Sequence, residues 1–439
     1  MNTRIQHVWE KLASSYWFVP ALMMSAAAGL ASLALHLDRS VFVAKSPSDW
    51  FYDGDIEGAR TLLSTVAGSI VTVAGVVFSI TIAALTQASA QFGPRLLRNF
   101  MRDGANQLVL GTFVATFLYC ILVLRAVPEG EATAVPHFSV TVAVGLSIAS
   151  LCVLVFFIHH ISASMQAPHV VARAAMELRQ AIERRYPARL DSETPAPPPT
   201  GPMPPPWQAF GPDPGTIRGT SSGYLQAVDE EEVMRIATDR DLRLELLQRP
   251  GKFLLEGSPL VLVWPARAVS AALCRAVNAA FLVGRQRTPE QDIEYALDQM
   301  VEIAVRALSP GVNDPFTAVT CIDWLGDSLR RLSACGEPPA IRPDRHGASR
   351  VVAHVPTFPG LVDAAFDQIR QYGRTSVPVT IRLLESIAAL AEHVDPEQRA
   401  VLLRKAAIIH RESHVLPAEE DRRDVDGRFR AAVTALERG

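Results

Sequence analysis

Charge is missing from one long stretch of this sequence: residues 61–94 contain no Asp, Glu, Lys, Arg or His, a run of 34. A water-soluble element of that length carries charge on its wet face, so the absence excludes one there and points to lipid. Cysteine is scarce too. Cys120, Cys152, Cys274, Cys321 and Cys335 form no CxxC pair, which argues against a disulfide framework or a zinc site and suits a reducing compartment. Basic charge is not in excess; 42 Lys and Arg stand against 45 Asp and Glu, for a net charge of −3, so no nucleic-acid partner is expected. The chain has no Gly-rich phosphate loop and no HExxH element. No catalytic residue, cofactor or metal site is therefore assigned, and an enzyme is the weakest of the functions considered.

What is present begins with four apolar segments: Tyr16–Leu37, Thr61–Ala90, Leu108–Leu124 and Val135–Ile158. Each is near the length that a hydrocarbon core of ~30 Å requires. Arg4 and Lys11 ahead of the first imitate a secretory signal, but it exceeds a signal core and more spans follow, so it reads as a retained helix. Tyr16, Trp17 and Phe18 sit where an interfacial aromatic belt belongs. The 38–60 loop is acidic, with Asp38, Asp49, Asp53, Asp55 and Glu57 against Arg39, Lys45 and Arg60. The 91–107 loop carries Arg95, Arg98 and Arg102 against Asp103, and Arg173, Arg179, Arg184 and Arg185 follow the fourth span. Positive loops stay in the cytoplasm. The expectation is a multi-pass inner-membrane protein with both termini cytoplasmic and the lipid bilayer as its first partner. No ionisable residue lies mid-span, which weighs against an ion-coupled carrier.

The second span carries a stripe. At 100° per residue Ser64, Thr65, Gly68, Thr72, Gly75, Ser79 and Thr86 fall within about a third of the circumference, opposite Leu63, Val66, Ile70, Val73, Val77 and Ile80. Small and hydroxyl residues let helix backbones approach closely in lipid, so the plain reading is a packing seam. The sharper reading is a pore lining along an oligomer axis. Both use the same residue types, and the sequence leaves both open. Gly93-Pro94 then breaks the helix, and Arg95, Arg98 and Arg102 share one face of a short helix beyond it. Anchoring to lipid headgroups is its preferred reading, a cationic ring under a pore the alternative.

The expected fold class is an α-helical membrane protein, a four-helix transmembrane region followed by a mainly α cytosolic domain with a small β unit. Residues 1–160 form the spans, 161–190 a cytosolic helix continuing the fourth, and 191–222 a proline-rich linker. Residues 223–265 form the β unit around "GYLQAV" and "PLVLVW", 266–415 a helical domain, and 416–439 a charged tail expected to fray. Residues 267–334 are read as helical, with "TPEQ" at 288–291 as a capping box. In "SPGVNDP", Ser309, Asn313 and Asp314 suggest a ligand loop, but a helix stop followed by a start capped by Asp314 explains them.

The segments "LLSTVAGSIVTVAGVVFSITIAALTQASAQFGPRLLRNFMRD", "VRALSPGVNDPFTAVTCIDWLG" and "DAAFDQIRQYG" resemble a bacterial membrane family, domain of unknown function 2254. The resemblance implies an inner-membrane protein with four N-terminal spans and brings no activity or site residue. Two functions are expected to compete: a channel-like or transport homo-oligomer with a cytosolic regulatory domain, or a membrane-anchored scaffold or sensor for an unknown cytosolic partner or ligand.

Overall fold

A computed structural model describes residues 17–40, 52–93, 104–127, 135–186, 213–335 and 337–438. The chain divides into two compact units, Met1–His169 and Val170–Gly439.

In the first unit α1 (Phe18–Ser40), α2 (Ile56–Phe92), α3 (Gly104–Ala126) and α4 (His137–Ser164) are each long and apolar enough to cross a membrane. α2 runs for 37 residues, about 55 Å at 1.5 Å per residue, well beyond a hydrocarbon core. Asp55 starts it, accepting the Gly58 N–H at 2.8 Å, and Gly93 ends it at φ 106°. The left-handed φ is why a glycine stands there.

α3 is the hub of this unit. Half of its most apolar window is buried, against 17–22% in the other three helices. α1 meets it through Ala27, Ala31 and Ala34, and a Cβ on Gly111 would lie 2.5 Å from the Met23 sulfur. Small residues thus do bring two helices together, but on α1 and α3. α2 contributes Leu63, Ala67, Ile70, Val77 and Ala84 to the core, and α4 contributes Val140, Ala143, Phe157 and Ile161. Thr116 and Ser150 hydroxyls meet at 3.1 Å between α3 and α4, and the Tyr119 hydroxyl donates to the Ser139 carbonyl. Asp38, near the end of α1, accepts the N–H groups of Phe138 and Ser139 at 3.0 and 2.9 Å and the Ser139 hydroxyl at 2.5 Å. A carboxylate from one helix so caps the start of another, where N–H groups lack helical partners and the dipole favours negative charge.

The second unit takes in α5 (Ala167–Arg185) from Val170 onward, and Pro168 marks the fresh start of that helix. Then follow β1 (Gly215–Arg218), β2 (Gly223–Val228), α6 (Glu230–Asp239), β3 (Arg243–Leu246), β4 (Phe253–Leu254), β5 (Pro259–Trp264), α7 (Ala271–Ala279) and β6 (Phe281–Gly284). α8 (Ile293–Ala307) and α9 (Pro315–Cys335) lead to β7 (Ile341–Pro343) and β8 (Ser349–Ala353). α10 (Phe358–Gly373), α11 (Val377–Leu390), α12 (Pro396–Glu412) and α13 (Glu419–Arg438) complete a helical bundle. Five strands pair in the order β1-β5-β3-β8-β7 and three in the order β4-β2-β6. The β3–β8 pair is parallel, with Leu244 opposite Val351. Both sheets share one core with α6 and α7, built on Leu225, Ile236, Leu244, Val261, Leu273 and Val277.

Three expectations need correction. The β unit is not the contiguous segment 223–265: β1 falls inside the expected linker, β6 inside a stretch read as helical, and β7–β8 return from residues 341–353. Parallel pairing across about a hundred residues leaves no local signature. The "TPEQ" box does not cap a helix either. α8 starts at Ile293 under Asp292, which accepts the Tyr295 N–H at 3.0 Å and is held by Arg287 at 2.7 Å. Gln291 instead exchanges two hydrogen bonds of 3.0 Å with the Val228 backbone. Finally, the tail does not fray. Val425, Ala432 and Leu436 bury one side of α13, which packs on α11 and α12, and Asp426 meets His410 at 2.6 Å. A stripe of three apolar side chains is enough to dock an otherwise charged helix.

Candidate functional site

Every residue of the α2 stripe is exposed: Ser64, Thr65, Gly68, Thr72, Gly75, Ser79 and Thr86 all face away from the bundle. The helix packs on α3 through Leu63, Ile70 and Val77, three of the six side chains opposite the stripe. The seam reading therefore fails within the chain: bulky side chains fill the hollows beside α3, and the small ones are left outside. A Cβ added at Gly68 or Gly75 would meet no atom within 4 Å. The hydroxyls bond back to their own helix, Ser64 to the Thr61 carbonyl at 3.0 Å, Thr72 to Gly68 at 3.0 Å, Ser79 to Gly75 at 2.9 Å and Thr86 to Ile82 at 2.9 Å. Such back-bonding removes the penalty of an unpaired hydroxyl in lipid. A hollow of about 560 Å³ lies at the start of the stripe, lined by Asp55, Glu57, Gly58, Thr61 and Thr65 among others. Val71, Val76, Phe78, Ile80 and Ile82 are exposed around the stripe, as a lipid-facing surface requires.

Arg95, Arg98 and Arg102, the expected basic face, lie outside the described residues, as do residues 187–212 of the proline-rich segment.

At the α8–α9 junction the polar groups have structural work. The Ser309 hydroxyl donates to the Arg306 carbonyl at 2.6 Å, and the N–H groups of Val312 and Asn313 reach the Ser309 carbonyl. Asn313 takes a left-handed φ of 51°, which its short side chain tolerates. Asp314 accepts the N–H groups of Phe316 and Thr317 and the Thr317 hydroxyl. Stop and start account for the motif. Cys321, one turn past Thr317, is buried, which raises its thiol above the ordinary range.

Two constellations were not legible beforehand, and one local motif was. Glu245 on β3 is buried, with one carboxylate oxygen 3.2 Å from His354 Nε2 and the other without a partner among the described residues. Strand alternation could have placed Glu245 against its apolar neighbours, but nothing local ties it to a histidine 109 positions on. A cavity of about 920 Å³ lies between α6 and the β7–β8 hairpin, with Met234, Leu246 and Val351 below and Glu231, Arg342 and Arg345 at its rim. Glu230 beside it is held by Arg342 and by Arg185. Residues 219–223 read GTSSG, the form of a nucleophile elbow, but they join β1 to β2 and not a strand to a helix, so the match carries no chemistry. Among the described residues no group of three or more His, Cys, Asp or Glu is placed to hold a metal ion.

Four apolar helices followed by a helical unit with small sheets match what comparison with known proteins returns. A family profile described as "Predicted membrane protein (DUF2254)" matches residues 13–389. The chain belongs to this family. Among its relatives are the uncharacterised proteins Rv1290c of Mycobacterium tuberculosis and Mb1321c of Mycobacterium bovis. Each is 30% identical over 457 residues, covering all of this chain and 84% of the relative. No solved structure matches. Membership fixes the class of protein, and it assigns no activity to the stripe, the junction or the cavity.

Proposed function

We propose that the chain is a channel-like homo-oligomer of the cell inner membrane, in which α2 helices of several copies surround an axis and the second unit regulates it from the cytoplasm. One observation carries the reading: the only long run of small and hydroxyl residues on α2 is turned out of its own bundle while the opposite face packs on α3. Small and hydroxyl residues turned outward suit an axis where copies of α2 converge around a water-filled path. The length of α2 supports a path reaching beyond the hydrocarbon.

Cysteines placed singly at Thr65, Thr72 and Ser79 test this, with Val76 and Ile80 as lipid-facing controls. Membrane-impermeant thiol reagents should modify the stripe positions in the assembled protein and spare the controls. Protection of all five positions overturns the aqueous path. A second reading, a membrane-anchored sensor, is favoured by the 920 Å³ cavity, whose apolar floor and charged rim suit a small ligand. It predicts that a small ligand protects a cysteine at Met234 while leaving α2 unconductive.

A further inference from the structure

The helical bundle of the second unit is apolar at one end. Five large hydrophobic side chains are exposed on α8–α13 and their connections: Val312 at 42%, Phe316 at 76%, Trp324 at 41%, Tyr372 at 60% and Val415 at 51%. All but Trp324 lie at the same end. The end of α8 and the start of α9 meet there, since the Asp314 N–H donates to the Ala307 carbonyl at 2.7 Å. The end of α10 and the start of α11 meet there too, because a Cβ on Gly373 would touch Leu308 and Val379. Arg370 near the end of α10 pairs with Glu412 at the end of α12, and Arg422 of α13 donates to the Leu416 carbonyl. Val312, Phe316, Tyr372 and Val415 stand in or beside these connections, so burying the core does not explain them.

The charges around this apolar end are also unspent. Several arginines of the bundle are paired, among them Arg306 with Glu302, Arg370 with Glu412, Arg382 with Asp323 and Arg423 with Glu419. Arg374, after Tyr372, and Arg411, before Val415, have no carboxylate partner among the described residues; Glu420 and Asp421, at the start of α13, have no cation partner. An end of the bundle that carries two exposed aromatics together with charges of both signs has the composition of a protein interface. The two cations and two anions balance, so they give this end no net attraction to anionic headgroups. A surface that carries both signs is complementary to itself when two copies meet about a twofold axis.

We propose that this end of the bundle docks on the same end of a second copy. Phe316 and Tyr372 form the centre, and Arg374 and Arg411 of each copy face Glu420 and Asp421 of the other. The contact is independent of the α2 stripe. Either can fail alone.

The test uses the full chain with its five cysteines replaced by alanine and one cysteine introduced at Thr375, an exposed turn residue beside Arg374. A short bis-maleimide should join two copies, and a control cysteine at Glu397, at the opposite end of the bundle, should give at least tenfold less product. Phe316→Ser with Tyr372→Ser should lower the Thr375 yield about tenfold. R374E with R411E should lower it similarly, as should E420R with D421R. All four charge reversals together should restore it. Absence of a cross-link, a yield blind to these changes, or failure of the fourfold reversal to restore it overturns the proposal. So does quenching of a fluorophore at Thr375 by nitroxide lipids, which would assign the end to the bilayer. Light scattering of the same variants keeps the readings apart, because loss of this cross-link with assembly retained leaves the α2 reading standing.

Discussion

Replacing Gly68 and Gly75 with alanine should act differently on the chain and on its assembly. In a helix interior glycine is less favourable than alanine by about 1 kcal/mol. Nothing lies within 4 Å of a Cβ built at either position, so no clash within the chain offsets that gain. The double substitution should therefore stabilise the isolated bundle by up to about 2 kcal/mol, seen as a higher unfolding temperature in detergent at concentrations that keep it monomeric. Leucine at the same positions adds bulk where a second α2 is proposed to approach. Loss of 1.4 kcal/mol of association free energy is a tenfold weaker dissociation constant, and G68L with G75L should cost at least that much. Energy transfer between labelled copies at varied protein-to-detergent ratio measures it. The α2 contact is refuted if leucine leaves energy transfer between labels on α2 unchanged while alanine stabilises the monomer, because the stripe then meets no second helix. Destabilisation by alanine would refute the fold description instead, by revealing a neighbour to α2 within the chain.

Asp38→Ala removes the acceptor for two N–H groups and one hydroxyl at the start of α4, and should cost about 1–2 kcal/mol in detergent unfolding, with Asp38→Asn recovering part of it. Lys405, buried on α12, meets Asp363 at 2.6 Å and Asp367 at 2.7 Å. Both carboxylates stay partly open to water, so Lys405→Met should cost about 1–3 kcal/mol, less than a fully buried pair, and adding D363N with D367N should return most of it in the same melts. Gly251→Ala puts a Cβ 2.2 Å from an Asp292 oxygen at a φ of 93°, and should expose the β unit to protease more than alanine at Gly257, where space is open. The Arg350 guanidinium, with the backbone N–H groups of Ala348 and His346, holds the Asp344 carboxyl below its ordinary range. A depressed carboxylate contributes stability above its unfolded value and loses it as pH falls through the folded one. The advantage of the native chain over Arg350→Ala should thus be level above about pH 5 and shrink below about pH 4 in acid unfolding curves.

Signals confined to a few neighbouring residues could be read in advance. The charge-free run gave α2, "GYLQAV" and "PLVLVW" coincide with β2 and β5, and Asp314-Pro315 marked the start of α9. Periodicity, capping and turn chemistry act over one or two turns of chain. The capping box was misread because two neighbouring residues competed for one role. Gln291 and Asp292 both suit a helix start, and Arg287, which holds Asp292, together with the β2 backbone, which engages Gln291, settled which one caps α8.

The sequence by itself determined that four apolar helices precede a larger polar unit, because transfer from water to lipid is set by composition and length alone. It also determined that α2 carries two unlike faces, since a helix fixes the angle between its residues. Which face meets α3, which strand joins β3 in parallel, and which apolar side chains of the bundle stay exposed were decided only in three dimensions. Those choices depend on how well one surface fills another, a property of pairs of segments and not of either one.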